Sequence, residues 1–383
     1  MTTDAQGPVA AVYRQTFLPR SETFVRDHLV RMPRYRTIAV TSRLSEDPLP
    51  VPGHDPVVAR AASPLPRVRA AVWRRTGHGP RAHAEALADT FRRSRADLVH
   101  AHFGPDGALA LEPARRARKP LVVTFHGYDV TTEPEHLRSS EDGALLLRRW
   151  DQLVRTAGII TVSRFLKDIL VARGADPARV HVIGCGVDVD AFEVSPFPER
   201  PELVFVGRLV EKKGVGDALE ALAGLEDPPH LTVLGDGPLR GELEARAAAL
   251  RLPVTFRGVA TTEEIRSALA RATAVVMPSR RAPNGDSEGL GVTALEAGAS
   301  GRPLVGYAHG GLSEAVVDGV TGRLAPEGDV DGLRAVLRTV LDDLDGAADM
   351  GRRAREHVVS SFDQDAQLRR VADVYDEVLS RRR

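Results

Sequence analysis

Short apolar segments alternate with longer amphipathic segments along the first half of the chain. The short segments are rich in β-branched residues and occupy residues 9–13, 36–41, 97–101, 121–125, 158–162 and 180–183. The longer segments carry apolar residues at helical spacing, at residues 22–32, 81–95, 106–118, 143–156 and 164–173. These patterns predict buried strands and amphipathic helices in turn. Such alternation is typical of parallel strands, so we expect an open α/β sheet with helices on both faces.

The same alternation restarts after a break in the pattern. Residues 188–202 contain Pro196, Pro198 and Pro201 without regular spacing, which is typical of a linker. Strand-like segments then recur at residues 203–206, 231–234, 254–257, 274–277 and 303–306. A length of 383 residues also favours two domains over one. We therefore predict two Rossmann-like, doubly wound α/β domains facing each other across a cleft, with the informative residues just after strands.

Charge and cysteine content argue against several classes of protein. Lysine plus arginine and aspartate plus glutamate both number 52, so the formal net charge is zero and no overall field attracts nucleic acid. The sequence has neither an apolar run long enough for a transmembrane segment nor a secretory signal pattern, which favours a cytoplasmic protein. The single cysteine, Cys185, excludes an internal disulfide and disfavours a thiolate metal site.

The turn that follows the strand-like segment 203–206 is rich in glycine and cations. The sequence VGRLVEKKG places Gly207, Arg208, Lys213 and Gly214 before the next helix. Cationic side chains beside glycines at the start of a helix suit a diphosphate, because backbone N–H groups and the helix dipole add to their charge. A solvated basic loop is the alternative.

The segment after residues 274–277 reads PSRRAPNGDSEGLGVTALEAGASGRPLV and carries two glutamates. Glu288 precedes a glycine-containing turn, and Glu296 lies eight residues later on the helix that begins there. Eight residues of helix span about 12 Å, roughly the reach of a nucleotide diphosphate. One carboxylate could therefore contact the sugar and the other the ribose, because a carboxylate can accept hydrogen bonds from both ribose hydroxyls. The alternative is a capping glutamate followed by a surface glutamate.

Motifs at their usual separations connect these residues to a known family. GRLVEKKG, VLGDGPLR, SEGLGVTALEAGASGRPLV and GGLSEAVVDGVTGRL follow one another in the second half, and TFHGYD and GCGVD occur in the first. With these motifs the chain resembles the retaining glycosyltransferases of family 4, which have the two-domain GT-B fold. The resemblance implies an acceptor-binding domain at residues 1–190 and a donor-binding domain at residues 191–365. A helix at residues 366–383 would cross back to the first domain.

The resemblance assigns roles in the second domain by position. The donor-binding residues that it implies are Gly207, Arg208, Lys213, Gly258, Val259, Glu288, Gly289, Leu290, Gly291 and Glu296. Among them, Arg208 and Lys213 would hold the diphosphate and Glu296 the ribose. Glu288 and the three amides after it would lie against the donor sugar and its phosphate, and residues 257–259 would lie near the base. The catalytic residues that it implies are His126, Arg208, Lys213 and Glu288.

In the first domain, His126 ends a strand and aligns with a histidine that these enzymes place near the transferred sugar and the acceptor. Asp129 would orient His126 or touch the sugar, and His102 would face the acceptor side. Structural roles are the alternatives, namely packing for the histidines and an Asx turn for Asp129.

The first loop departs from the commonest family pattern. In place of a glycine-rich turn it reads TFLPRSETFV, with Ser21 as the predicted N-cap and with Glu22 and Thr23 in the first helical turn. A branch of polysaccharide-building members has a similar S-E-T-F sequence. Glu22 and Thr23 are therefore expected on the acceptor or sugar side.

The activity that the resemblance implies is a retaining hexosyl or N-acetylhexosaminyl transfer from a nucleotide diphosphate sugar, most commonly a UDP-sugar. The candidate acceptors are carbohydrate-type hydroxyls of a polysaccharide intermediate, a lipid-linked sugar or a small natural product. In front-face attack the leaving diphosphate oxygen takes the acceptor proton, while Arg208 and Lys213 stabilise that leaving group. No metal or other cofactor is expected, and the sequence holds no convincing metal-ligand motif.

Other functions fit parts of the same pattern. A nucleotide-sugar epimerase would use the donor site without an acceptor, and a non-catalytic nucleotide-sugar-binding protein would use it without chemistry. A dehydrogenase is disfavoured, because no strand leads into G-x-G-x-x-G. Arg14, Arg20 and Arg26 could meet an anionic acceptor or give peripheral contact with a membrane, although a solvated helix face explains them better. The sequence indicates no oligomeric state.

Overall fold

The computed structural model describes residues 7–19, 22–59 and 81–381, and the chain divides into two compact units. The first unit lies within Met1–Gly184 and Asp365–Arg383, and the second is Cys185–Gln364. Each unit contains one open parallel sheet with helical crossovers. The predicted fold class of two Rossmann-like α/β domains is therefore confirmed.

Seven strands form the sheet of the first unit. They are β1 (Val9–Phe17), β2 (Arg36–Leu44), β3 (Val57–Val58), β4 (Leu98–His102), β5 (Leu121–Phe125), β6 (Gly158–Thr161) and β7 (Val180–Val182). The strands are parallel, in the order β3-β2-β1-β4-β5-β6-β7. Every residue of β4, β5 and β6 is buried, because helices cover both faces of the sheet.

The helices of the first unit connect these strands. They are α1 (Thr23–Arg31), α2 (Arg81–Arg93), α3 (Gly104–Ala117), α4 (Tyr128–Thr131), α5 (Pro134–Leu137), α6 (Glu141–Thr156) and α7 (Arg164–Ala172). α6 begins two residues before the predicted segment, because the side chain of Ser140 accepts the backbone N–H of Gly143 and caps the helix there.

Six strands form the sheet of the second unit. They are β8 (Glu202–Val206), β9 (His230–Leu234), β10 (Val254–Gly258), β11 (Ala274–Met277), β12 (Leu304–Tyr307) and β13 (Gly322–Ala325). The order β10-β9-β8-β11-β12-β13 is the doubly wound arrangement. The helices are α8 (Val215–Ala223), α9 (Arg240–Ala249), α10 (Thr262–Arg271), α11 (Val292–Ala299), α12 (Leu312–Ala315), α13 (Val330–Asp342) and α14 (Leu344–Phe362).

The last helix, α15 (Gln364–Ser380), packs on the first unit. Leu368, Val371 and Tyr375 on this helix share a buried cluster with Leu98 of β4 and Ile160 of β6. Burial of this apolar face holds the helix on the first unit. Within the described ranges, no helix combines the length and the apolarity needed to span a bilayer.

Candidate active site

Two loops meet where the order of strands in the second sheet reverses. β8 pairs with both β9 and β11, and ligands of open α/β sheets bind at such a switch point. Gly214 ends the loop after β8 with a φ of 65°, and a Cβ there would lie 1.9 Å from the carbonyl oxygen of Pro278 in the loop after β11. Glycine is therefore required for the close approach of the two loops.

Lys213 and Glu288 join these two loops. The ammonium of Lys213 donates to Glu288 Oε2 over 2.6 Å, and only 14% and 13% of the two side chains are exposed. Burial acts to raise the pKa of Glu288, but the charges of Lys213 and Lys212 outweigh it and lower the pKa below its ordinary value. Glu288 is thus ionised near neutral pH. Because an ammonium has three N–H donors, Lys213 can hold Glu288 and still donate to a second anion.

A buried histidine supports the backbone of Glu288. His309 Nδ1 lies 2.7 Å from Glu327 Oε2, and His309 Nε2 lies 3.4 Å from the backbone nitrogen of Glu288. The ionised carboxylate of Glu327 can only accept a hydrogen bond, so Nδ1 of His309 carries the proton. Its Nε2 then accepts a hydrogen bond from the backbone N–H of Glu288. These contacts fix the loop that presents Glu288.

The loop between Glu288 and α11 carries unpaired backbone donors. Gly289, Leu290 and Gly291 are buried, and their N–H groups have no acceptor among the described residues. Gly291 adopts the left-handed region, with φ 87°, immediately before α11. Buried N–H groups at a helix start form an anion site, because the helix dipole reinforces them. The loop can therefore bind a phosphate oxygen.

Glu296 lies on α11 with a carboxyl group that no described side chain or backbone N–H binds. Burial raises its pKa to about 7, although the charges of Arg266 and Lys213 oppose this shift. A carboxyl group without a protein partner in this position can accept hydrogen bonds from the two hydroxyls of a ribose.

Arg208 lies earlier in the loop after β8, and Val259 follows a further strand, β10. Arg208, after Gly207 at the end of β8, is exposed and pairs with no carboxylate in the part of the chain that the structure describes. Val259 follows Gly258 at the end of β10, and 72% of its surface is exposed. A free guanidinium suits a phosphate, and an apolar side chain suits the face of a nucleobase.

In the first unit, His126 follows β5 and packs against aromatic rings. The ring centroids of Phe24 and Phe103 lie 4.6 and 4.5 Å from that of His126. Its Nε2 is hydrogen-bonded to Nδ1 of His102 over 3.1 Å, whereas its Nδ1 has no partner among the residues described. Burial and the charge of Arg14 lower the pKa of His126 to about 3, so the ring is neutral near neutral pH. The Nδ1 edge is left for a ligand.

Behind His126 lie three buried histidines, His28 on α1 and His100 and His102 on β4. One ring nitrogen of each lies within 4.8 Å of the corresponding nitrogens of the other two, an arrangement that could hold a metal ion. Both ring nitrogens of each histidine are nevertheless already hydrogen-bonded, so an ion would have to displace these contacts. His102 in particular bonds His28 and His126. Neither ring nitrogen of His102 is therefore free for a ligand, and its expected place on the acceptor side stays a prediction.

Asp129 is fully buried in the first turn of α4, which follows the short loop after β5. Its carboxylate accepts the backbone N–H groups of Gly104 and Gly127 over 2.8 and 2.9 Å, and that of His126 over 3.2 Å. Burial raises its pKa to about 6, and these N–H groups oppose the shift. Asp129 thus orients the loop of His126. The N–H groups of this loop that it accepts lie two and three residues before it, whereas an Asx turn would use the N–H two residues after it.

Glu22, expected on the acceptor or sugar side, is bound by an arginine. Arg14 donates through Nε and Nη2 to the two carboxylate oxygens of Glu22, over 2.8 and 2.5 Å, and also pairs with Asp106. The exposed fractions of the Arg14, Glu22 and Asp106 side chains are 12%, 10% and 5%. The expectation of a solvated helix face was wrong for Arg14, because this residue lies on β1 and turns into the unit.

The structure describes only some of the other residues near the first loop. Thr23 is the first residue of α1 and is half-buried, whereas Ser21 and Arg20 lie outside the described residues. Glu22 is the residue before α1 and makes no side-chain cap. Arg26 donates to the neighbouring Asp27, as a surface arginine does.

Sequence reasoning missed several supporting residues. His309 and Tyr375 lie outside the motifs that carry the family resemblance. Asp106 has the sequence pattern of an ordinary acidic residue in the first turn of a helix. His28 had a usable signal, because it lies between Val25 and Leu29 in the buried stripe of α1. A polar residue in such a stripe requires a hydrogen-bond partner.

Comparisons with known proteins agree on one family. Residues 188–357 match the family described as "Glycosyl transferases group 1", and residues 23–191 match "Glycosyltransferase Family 4". The amylovoran biosynthesis glycosyltransferase AmsK of Erwinia amylovora is 30% identical over 293 residues, 74% of this chain and 70% of that protein. The glycogen synthase of Mycobacterium tuberculosis is 36% identical over 304 residues, 75% of this chain and 70% of that protein.

A solved structure gives the same fold. The crystal structure of Anabaena Alr3699/HepE in complex with UDP and glucose superposes with a TM-score of 0.76 at 19% identity. The match covers 97% of this chain and 100% of that one. At this identity the likeness concerns the fold.

Proposed function

Since this chain belongs to the family 4 glycosyltransferases with the GT-B fold, which act on nucleotide sugars, we propose that it transfers a hexosyl or N-acetylhexosaminyl group with retention of configuration. The donor in this proposal is a UDP-sugar and the acceptor a carbohydrate-type hydroxyl. The observation that carries the proposal is the pairing of Lys213 with Glu288 beside the free N–H groups of residues 289–291. UDP is favoured because HepE, a structural neighbour, was crystallised with UDP and glucose.

Each part of the donor has a matching group in the second unit. The diphosphate is assigned to Arg208, Lys213 and the amides before α11, which together offer two cations and a helix start. The ribose is assigned to Glu296 and the base to the exposed side of Val259. Glu288 holds Lys213 in place and faces the donor sugar.

The proposed reaction breaks the bond between the anomeric carbon and the diphosphate oxygen, and the acceptor oxygen bonds to the same face of that carbon. The leaving diphosphate oxygen takes the acceptor proton, so no protein base is required. Lys213, Arg208 and the amides stabilise the negative charge that develops on the leaving group, where such groups contribute most to rate. Since cations of the protein meet this charge, we propose that transfer needs no divalent ion.

A thermal-shift screen followed by product analysis tests the proposal. UDP-hexoses, UDP-N-acetylhexosamines and GDP-sugars are added singly, and a ligand bound only by the native state raises the midpoint of unfolding. The sugar that gives the largest shift is then incubated with carbohydrate acceptors, and the anomeric configuration of the product is read by proton NMR. We expect release of UDP and the donor's own configuration. Inverted product would overturn retention, and an isomerised donor without acceptor would identify an epimerase.

A further inference from the structure

A continuous chain of hydrogen bonds runs through the first unit and ends at His126. In order, its members are Thr124 Oγ1, His100, Tyr375 Oη, His28, His102 and His126, separated by 2.7, 2.6, 2.9, 2.8 and 3.1 Å. All members except His126 are buried. Each histidine before His126 uses both ring nitrogens, and His126 alone has a free one, Nδ1.

The direction of each bond in this chain depends on its neighbours. A neutral imidazole has one N–H and one lone pair, and the hydroxyl of Tyr375 accepts one bond and donates the other. Two arrangements are therefore self-consistent. Either every histidine carries its proton on Nδ1 and the bonds run toward His126, or every histidine carries it on Nε2 and they run toward Thr124. Burial lowers the pKa of His28 to about 4 and that of His126 to about 3, so both rings are neutral near neutral pH.

Thr124 distinguishes the two arrangements. In the first, its buried hydroxyl donates to Nε2 of His100, and the one donor left over is the Nδ1–H of His126, which is only half-buried and can meet water or a ligand. In the second, the hydroxyl accepts from His100, and its own proton has no acceptor in the described ranges. An unpaired buried donor disfavours the second arrangement by roughly tenfold or more.

We propose that Tyr375 and His28, acting through His102, hold His126 as the Nδ1–H tautomer, so that His126 donates a hydrogen bond to a ligand oxygen and takes no proton from it. Tyr375 and His28 are positioning residues, since neither meets the ligand. The inference rests on the proposed function only where it identifies this oxygen as one of the sugar or its phosphate. It agrees with a reaction in which the leaving group, and not a histidine, receives the acceptor proton.

Nitrogen-15 NMR of the full chain, labelled in its histidine rings, measures the tautomer directly. The His126 signals are assigned by their loss in His126→Gln, and their shifts distinguish Nδ1–H from Nε2–H. The measurement needs neither donor nor acceptor, so a failure of sugar transfer would leave it unaffected. We expect His126 to carry its proton on Nδ1, and a proton on Nε2 would overturn the proposal.

Two variants at one position test the coupling. His28→Asn places an amide near the position of Nδ1 that can donate or accept toward His102 and is too short to reach Tyr375. We expect both tautomers of His126 in it. His28→Asp offers only an acceptor and should convert His126 to Nε2–H. Tyr35→Phe is the matched control. It removes the hydroxyl of a buried tyrosine, and the hydrogen bond of that hydroxyl to Asp376 is not part of the series that ends at His126.

The control should leave the tautomer of His126 unchanged. An unchanged tautomer in His28→Asn would refute the coupling, and this outcome is decisive even if His28→Asp does not fold. Equimolar metal found in the purified wild-type chain and lost in His28→Asn would also refute it, since the ring nitrogens would then be ligands.

Discussion

Replacing Lys213 with methionine removes the charge of the side chain and retains most of its length. Glu288 then loses the ammonium 2.6 Å away while only 13% of its side chain is exposed. Burial remains and the main opposing charge is gone, so the pKa of Glu288 should rise above its ordinary value. Glu296 provides a reference, because burial raises its pKa from 4.5 to about 7. A pKa shift of that size, discounted for partial exposure, corresponds to a loss of about 2–3 kcal/mol in the free energy of unfolding at neutral pH.

Two measurements follow from this change. The midpoint of thermal unfolding of the second unit should fall by roughly 4–12 °C, from 2–4 °C per kcal/mol for a domain of this size. The turnover number should fall about 10²–10³-fold, the usual effect of losing one group that stabilises developing charge. The double variant Lys213→Met/Glu288→Gln should recover much of the stability but none of the turnover, because the buried carboxylate is gone and the cation is still missing.

Lys212→Met provides the comparison. Lys212 pairs with Asp286 over 3.0 Å, but both side chains are 21% exposed and neither meets the free amides. We expect a loss of turnover within about tenfold and a stability change of about 1 kcal/mol or less. A folded Lys213→Met protein with the wild-type turnover number would refute the assignment of Lys213 to the leaving group.

Three further predictions concern other groups. Glu296→Gln should weaken UDP binding measured by calorimetry. In the wild type the affinity for UDP should rise as this carboxyl group ionises near pH 7, and the variant should lose that rise; equal affinities of wild type and variant at every pH would exclude the ribose contact. Because the pKa of Glu296 is raised in the native state, native wild-type protein binds more protons than unfolded protein between about pH 4.5 and about pH 7. Its free energy of unfolding should therefore fall as the pH rises through that window, relative to Glu296→Gln. Transfer should persist in excess EDTA, whereas a loss restored only by added metal would contradict metal-independent transfer. Arg14→Met leaves Glu22 and Asp106 buried without a cation and should lower the free energy of unfolding by about 3–5 kcal/mol in denaturant. Arg26→Met, at a half-buried arginine paired with its neighbour Asp27, should lower it by about 0–1 kcal/mol; equal effects would show that the buried pairing contributes little.

The sequence located most strands to within one or two residues. Alternation of apolar and amphipathic segments is a local property, and it follows from the periods of strand and helix. Four residues of the strand expected at 97–101 lie in β4, and the strand expected at 274–277 coincides with β11. Two edge strands were missed. β3 has two residues and leaves no period to detect, and β13 has four residues, of which only Gly322 and Ala325 are buried.

The residues of the second unit were also found largely from local sequence. Lys213 and Glu288 lie in loops that directly follow β8 and β11, and strands of a parallel sheet end at a common edge. A strand-by-strand interpretation therefore placed both residues at one end of the sheet. It gave neither their 2.6 Å contact nor the free amides beside them, since these depend on the path of each loop.

What the sequence determined by itself is the pair of parallel α/β sheets, the family, and the loops that carry its motifs. Tertiary structure alone decided which side chains meet. His28 and Tyr375 are hydrogen-bonded across 347 positions, and Arg14, which reads as a solvated cation, is enclosed by two carboxylates. The physical reason is that hydrophobic periodicity is set by the nearest few residues, whereas the pairing of a buried polar group depends on segments that only packing of the whole unit brings together.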